Sequence, residues 1–181
     1  MTGPLVAIGG PPGSGKTTAA RGVAGTLGLE LRSAGDLFRQ AAHDRGMDLE
    51  AFSRFAEQHP EVDLEIDEAM GKLAEPGRIL EGRLVGELLR RRGVRCDWVE
   101  VTAQETTRAQ RIAGRDRLAF DESLHRMRLR EESERIRYAR FYGIDLAVTA
   151  PDLRLDATEL EPAEVVARIV GFVRARPVAS G

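Results

Sequence analysis

The chain has 181 residues, of which 42% are hydrophobic and 31% charged, and a net charge of −2. That is one domain's worth of chain with enough apolar side chains for a core, and the near-neutral charge excludes a protein that binds nucleic acid by bulk electrostatics. One cysteine, Cys96, allows no intrachain disulfide and points to a reducing compartment, and the dispersed His43, His59 and His125 offer no common zinc spacing.

Leu5-Val6-Ala7-Ile8 predicts a short buried strand. It is too short, and lacks the basic flank, for a signal peptide. Thr17–Leu27 has helical spacing, with Gly28 as its stop. Glu30–Arg32 reads as a second strand and Asp36–Asp44 as a helix ended by Gly46. Asp48 caps a further helix to about Gln58, and Pro60 breaks it. Pro60–Glu75 is helical and acidic, and Pro76-Gly77 turns the chain into a strand at Arg78-Ile79-Leu80-Glu81. Val85–Arg92 is predicted helical, Cys96–Val101 a strand and Glu105–Gly114 a helix. Phe120–Tyr142 predicts a long amphipathic helix, Leu153–Leu155 a last strand, and Pro162–Arg174 a last helix with proline in its first turn. Residues 176–181 read as a frayed tail. No apolar run nears the ~18 residues of a membrane span, so the expectation is a soluble cytoplasmic protein. Strands alternating with helices predict an α/β fold: a parallel sheet covered on both faces, with ligands at the carboxyl ends of the strands.

Gly10-Pro11-Pro12-Gly13-Ser14-Gly15-Lys16-Thr17 fits the G-x-x-x-x-G-K-[ST] pattern, with a strand before it and a helix after it. Glycines let successive backbone N–H groups turn inward around a phosphate. The lysine reaches the terminal phosphates, the threonine hydroxyl ligates Mg2+, and the next helix points its positive end at the anion. A GTP switch would need a base-reading N-K-x-D late in the chain, and no lysine follows Lys72. A small phosphotransferase remains.

The basic residues are 25 arginines and only Lys16 and Lys72, so a surviving lysine suggests a site that wants a compact ammonium. Charge is also segregated: residues 44–75 carry a net −7 and residues 108–140 a net +4. This pattern fits either two walls of one site or two solvated faces, and charge alone favours the solvated faces.

Ser33-Ala34-Gly35-Asp36-Leu37-Phe38-Arg39 resembles the segment after the second strand of nucleoside monophosphate kinases. Glu81-Gly82-Arg83 sits where those enzymes carry an acid-glycine turn. Arg130-Glu131-x-x-Glu134-x-x-Arg137 resembles the R-[DE]-x-x-[DE]-x-x-R pattern of cytidylate kinases, and Tyr142-Gly143-Ile144-Asp145 with Asp152-Leu153 is similar to the closing segment of the short archaeal-type branch. Leu84 departs from the larger bacterial enzymes, which have an acid there. The D-G-F-P-R turn and paired lid aspartates of adenylate kinases are missing.

The resemblance implies a three-layer P-loop fold with a five-stranded parallel sheet, forming one kinase domain over residues 1–181. It implies a helical monophosphate-binding insert at 46–75 and a short helical lid at 115–137. The implied reaction transfers the γ-phosphoryl group of ATP to CMP or dCMP. Gly10, Pro11, Pro12, Gly13, Ser14, Gly15, Lys16, Thr17 and Thr18 would bind ATP together with Arg111, and Thr17 and Glu81 would hold Mg2+. Lys16, Arg39, Arg83, Arg115, Arg130 and Arg137 would act on the phosphates, since planar guanidinium groups grip them bidentately. Ser33, Arg39, Arg83, Arg130, Glu134 and Arg137 would bind the acceptor, with Glu134 holding Arg130 and Arg137 in place. Cytosine presents an N4–H2 donor, so a carboxylate is its natural reader; Asp63 and Asp67, four residues apart, are the candidates. Phe38, Phe52, Phe55, Cys96 and Trp98 read as packing. The expected partners are small nucleotides, with no nucleic acid, no membrane and a monomeric state. Alternatives are an adenylate or other small-molecule kinase, and an ATP-dependent assembly or switch protein whose 115–140 stretch contacts RNA; the missing aromatic platform argues against RNA.

Overall fold

The computed structural model describes residues 3–176. Five strands, β1 (Val6–Gly9), β2 (Glu30–Ser33), β3 (Arg78–Glu81), β4 (Asp97–Thr102) and β5 (Leu153–Asp156), form one parallel sheet in the order β2-β3-β1-β4-β5. Among the described residues eight α-helices accompany them: α1 (Lys16–Leu27), α2 (Ala34–Asp44), α3 (Leu49–Gln58), α4 (Pro60–Lys72), α5 (Val85–Arg91), α6 (Glu105–Asp116), α7 (Phe120–Tyr142) and α8 (Pro162–Ala175).

The alternation of side chains along β1 divides the core. Val6 and Ile8 pack with Ile79, Val99 and Val101 against Val23 of α1 and Ile169 and Val173 of α8. Ala7 points the other way, with Leu80 and Trp98, against Val85 and Leu89 of α5 and Met70 of α4. Each large apolar side chain so buried contributes about 1.5–3 kcal/mol. Helices α2, α3 and α4 carry their own small core around the fully buried Phe52, with Phe38 tilted against it at a centroid distance of 4.7 Å. Helices α3 and α4, the expected insert at 46–75, therefore pack together with α2 in one small cluster.

Most predicted boundaries fall within two residues of the observed ones, and the differences have local causes. Ser33 still pairs with Glu81 in β2, and its side chain then caps α2, so strand and helix abut without a loop. Helix α4 stops at Lys72, three residues short of the expected end, and α6 runs on to Asp116 before Arg117 takes the left-handed conformation at φ 57°. The 3-10 turn Leu146–Val148 had no periodicity to announce it; Asp145 accepts from the Ala147 amide at 2.9 Å. Arg176, expected to fray, is tied down by Asp97 at 2.6 Å. Residues 177–181 of that expected tail lie outside the described residues. No described helix is long and apolar enough to cross a membrane.

Helix α5 approaches the sheet closely because it has no side chain at Gly86: a Cβ there would lie 2.3 Å from the Trp98 ring. Trp98 is buried and cannot retreat. Gly86→Val should destabilise the protein by on the order of 2 kcal/mol, about 4–8 °C in Tm for a chain of this size. Thermal denaturation followed by circular dichroism checks this; an unchanged Tm would show that α5 can move off the sheet.

Candidate active site at the carboxyl edge of the sheet

The parallel register sets Ser33, Glu81, the glycines after β1 and Glu100 side by side, because Ser33 pairs with Glu81, Ile8 with Glu81, and Gly9 with Glu100. The chain leaves β1 through Gly10 and Gly13, at φ 145° and 76°, and enters α1 after Gly15 at φ 94°. A Cβ on Gly13 would fall 2.5 Å from the Arg108 carbonyl oxygen, so the loop is pressed against α6 and accepts no larger residue. Lys16 Nζ donates to the Pro11 carbonyl at 3.4 Å and lies 4.0 Å from Glu81 Oε1. Burial pulls the Lys16 ammonium down to about 8, against the attraction of Glu81. Glu81 is itself buried and accepts from Ser33 Oγ at 2.6 Å.

Two arginines of α6 brace the loop. Arg111 donates to the Ser14 carbonyl at 3.3 Å and to the Ala157 carbonyl at 2.7 Å. Arg108 donates to the Pro12 carbonyl at 3.0 Å and to the Ala103 carbonyl at 3.1 Å, and pairs with Glu131 of α7. Sequence reasoning missed Arg108. Its only signal was its place one turn before Arg111 on the same helix face, which does not stand out among so many arginines.

A cavity of about 1150 Å3 opens in front of the loop. Pro12, Gly13, Ser14, Gly15, Lys16, Thr17, Thr18, Arg39, Asp63, Asp67, Glu81, Arg83, Arg111, Arg115, Arg130, Glu134 and Arg137 all line it. Gly10 and Pro11 form the turn behind it, and Ser33 sits back behind Glu81. Phe38, expected only to pack, also lines it. Arg39 stands exposed with its guanidinium on Asp36, and Arg115 grips Asp116 through two bonds of 2.6 and 2.7 Å. Cys96 and Trp98 do pack away from it.

Parts of the two segregated charge blocks meet in this cavity. Asp63 and Asp67 of α4 and Arg111, Arg115, Arg126, Arg130 and Arg137 of α6 and α7 line it, while most other acids of 44–75 stand exposed, so the solvated-faces reading holds for the greater part of the acidic block and fails only where Asp63 of α4 meets Arg137 of α7. The lining side chains include nine basic and six acidic residues, a surplus that suits a polyanion.

Glu134 does not hold both arginines of its own helix, as their spacing suggests. It accepts from Arg130 Nε at 2.9 Å and approaches Arg83 Nε at 3.7 Å. Arg137 instead gives one terminal nitrogen to both oxygens of Asp63, at 2.6 and 2.7 Å, because α4 brings that carboxylate against α7. Burial works to raise the Glu134 carboxyl, but Arg130, Arg83 and Lys16 outweigh it and hold it below its ordinary value. Burial raises Asp63 despite Arg137, and raises Asp67 to about 6. Arg83 lies between Glu134 and Glu100, the latter at 3.5 Å, yet among the described residues its Nε and Nη1 make no hydrogen bond; nor does Arg137 Nε. Buried donors left this way are costly unless a ligand completes them.

Comparison with known proteins agrees with this geometry. A family profile described as an AAA domain matches residues 9–135. The cytidylate kinase of Pyrobaculum neutrophilum is 42% identical over 158 residues, covering 86% of this chain and 85% of that protein. The cytidylate kinase of Archaeoglobus fulgidus is 39% identical over 176 residues, 96% of each chain. This chain belongs to the cytidylate kinase family. Among solved structures, an uncharacterized protein from Eubacterium ventriosum superimposes with a TM-score of 0.71 at 17% identity, over 95% of this chain and 99% of that one. The shikimate kinase of Acinetobacter baumannii does so with a TM-score of 0.62 at 16% identity, over 96% and 94%. These likenesses show that the cytidylate kinase family member described here has a fold shared with other small kinases.

The raised Asp67 gives a linkage prediction. A carboxyl whose folded value lies above its unfolded one binds more protons when folded, so it stabilises the fold at low pH and loses that contribution as pH rises from about 4 through about 6. The distance from the ordinary value corresponds to on the order of 3 kcal/mol, which partial exposure reduces to about 1–2 kcal/mol. Asp67→Asn should therefore be more stable than the parent protein at pH 8, with the gap narrowing at pH 5. Urea denaturation at both pH values measures it, and a gap independent of pH would show that Asp67 does not titrate there.

Proposed function

We propose that the protein transfers the γ-phosphoryl group of ATP to CMP or dCMP, giving ADP and CDP or dCDP. The observation that carries this reading is one cavity lined both by the phosphate loop and by Arg83 and Arg137, where Arg83 Nε and Nη1 and Arg137 Nε have no hydrogen-bond partner among the described residues. Phosphoryl transfer needs little covalent chemistry; it needs donor and acceptor held in line, charge neutralised on the moving oxygens, and water kept out. In this reading the loop amides, Lys16 and Arg111 hold the donor phosphates, with Thr18 behind Thr17. Arg39, Arg83, Arg130 and Arg137 hold the acceptor phosphate, Glu134 keeps Arg130 and Arg83 in place, and Arg115 adds positive charge above the transferring group. Ser33 orients Glu81 from behind.

Thr17 and Glu81 present a hydroxyl and a buried carboxylate beside the loop, hard oxygen donors of the kind Mg2+ takes when most of its shell is water and phosphate. Mg2+ bound there would neutralise charge on the donor phosphates. Residues 46–75 serve as the acceptor-binding insert, and residues 115–137 as the lid that excludes water. Asp63 and Asp67 are the carboxylates placed for the base. Asp67 is the freer of the two, since both oxygens of Asp63 accept from Arg137.

Lys16→Met should lower turnover at least about 100-fold, a loss of roughly 3–4 kcal/mol of transition-state stabilisation, while the protein stays folded; near-normal turnover would remove the phosphotransferase reading. For the acceptor, kcat/KM measured with each nucleotide should be high for CMP and dCMP, much lower for UMP and lowest for AMP. A site built to accept from N4 leaves its own acceptor facing the uracil oxygen, which can cost up to about 10^4-fold. Asp63→Asn or Asp67→Asn should narrow the CMP-to-UMP gap. AMP outperforming CMP would make this an adenylate kinase instead.

A further inference from the structure

The Asp67 carboxylate is held from behind. Tyr142, the last residue of α7, donates its hydroxyl to Asp67 Oδ2. Asp67 lines the cavity and Tyr142 does not, so the hydroxyl lies on the protein side of the carboxylate. Among the described residues no donor reaches Oδ1. The backbones of both partners are clipped by the end of α5: Arg91 donates to the Tyr142 carbonyl at 2.9 Å, and Arg92 to the Asp67 carbonyl at 3.3 Å. The Tyr142 ring rests edge-on against Tyr138 at 6.4 Å, which fixes the direction of its hydroxyl.

We propose that Tyr142 is a positioning residue for base selection: its hydroxyl occupies Oδ2 of Asp67 and leaves Oδ1 to receive the exocyclic amine of a pyrimidine monophosphate. This rests on the cytidylate reading above and on Asp67 as the carboxylate facing the base. The chemistry makes base selection depend on pH. An ionised carboxylate only accepts, and matches the N4–H2 of cytosine; a protonated one can donate, and matches the O4 of uracil. Asp67 faces Tyr142, Tyr138 and Arg137 from α7, Arg92 from the end of α5, and Asp63 one turn back on α4. Burial raises it to about 6, and the Tyr142 hydroxyl is the strongest of the groups that resist that rise. Losing the hydroxyl therefore moves the titration of Asp67 to higher pH.

The test measures kcat/KM for CMP and for UMP from pH 5 to 8 in the parent protein, Tyr142→Phe and Asp67→Asn, with the KM for ATP as a control. The second ionisation of a phosphate monoester, near about 6, is common to both nucleotides and cancels in their ratio. In the parent protein the CMP-to-UMP ratio should fall as pH drops through about 6. In Tyr142→Phe the fall should come at higher pH, leaving the ratio at pH 7 about tenfold lower. In Asp67→Asn the ratio should be low and independent of pH. The KM for ATP should hold in all three, which a general loosening of α7 would not allow. A parent-like ratio and pH profile in Tyr142→Phe, with Asp67→Asn altered, would overturn the role of Tyr142 and leave Asp67 as the base reader. If neither variant moves the ratio while CMP remains the preferred acceptor, Asp67 does not read the base and the proposal falls with it. If CMP is not the preferred acceptor at all, the cytidylate reading itself has failed.

Discussion

Nine basic side chains line one cavity, and cations gathered in a partly desolvated space repel one another. The arrangement of carboxylates around this site answers that constraint. Glu81 faces Lys16, Glu134 lies between Arg130 and Arg83, Glu100 backs Arg83, and Asp63 takes Arg137. Asp63 and Arg137, and Glu134 and Arg130, close into hydrogen-bonded ion pairs, whereas Lys16 and Arg83 face their carboxylates at longer range. The distances of 3.5–4.0 Å around Arg83 and Lys16 give attraction while leaving hydrogen-bonding capacity free. A guanidinium so placed stays oriented with donors still free to bond.

The backbone supplies the other half of the arrangement. A parallel sheet delivers every strand's carboxyl end to one edge, so the loop after β1, Ser33, Glu81 and Glu100 gather there without any long-range pairing having to be learned separately. Helix α7 then crosses this edge. It contributes Arg130, Glu134 and Arg137 to the cavity along one face, and it reaches back to α6 through Glu131 and Arg108, which braces the phosphate loop. One helix is thus linked through Arg108 to the phosphate loop and through Asp63 to α4. That connection gives the segments at either end of the cavity a shared mechanical element.

Much of this was legible in the chain. The phosphate loop, the strand before it, the helix after it and the acid at the end of the third strand depend on neighbours a few residues away, and local periodicity and turn chemistry report them well. Arg39 and Arg83 could be placed near one cleft because any residue just past a strand's carboxyl end must lie there. Pairing partners were less legible. Arg130, Glu134 and Arg137 share a helix face, and spacing alone suggested that Glu134 serves both arginines. In the structure an aspartate 74 residues away takes Arg137. Arg108 and Glu100 did not stand out, and Tyr142, although part of the family-like closing segment, carried no hint of its partner: an arginine on a helix, a tyrosine at a helix end and an acid in a strand are ordinary until something is packed against them.

The sequence by itself determined the layered α/β order, the phosphate-binding loop and the family to which the chain belongs, because hydrophobic period, glycine placement and motif spacing are short-range properties of the polymer. Only the tertiary structure decided which charges meet. Which acids of the acidic block meet partners rather than solvent depended on the packing of α4: Val62 in the small core with Phe52, and Met70 and Ile66 in the core beside the sheet, accompany an α4 whose Asp63 reaches Arg137 and whose Asp67 reaches Tyr142. Coulomb and hydrogen-bond energies vary steeply over a few ångströms and with burial. The partner of each charged group, and with it the protonation of Asp67, therefore follows from packing that no local pattern encodes.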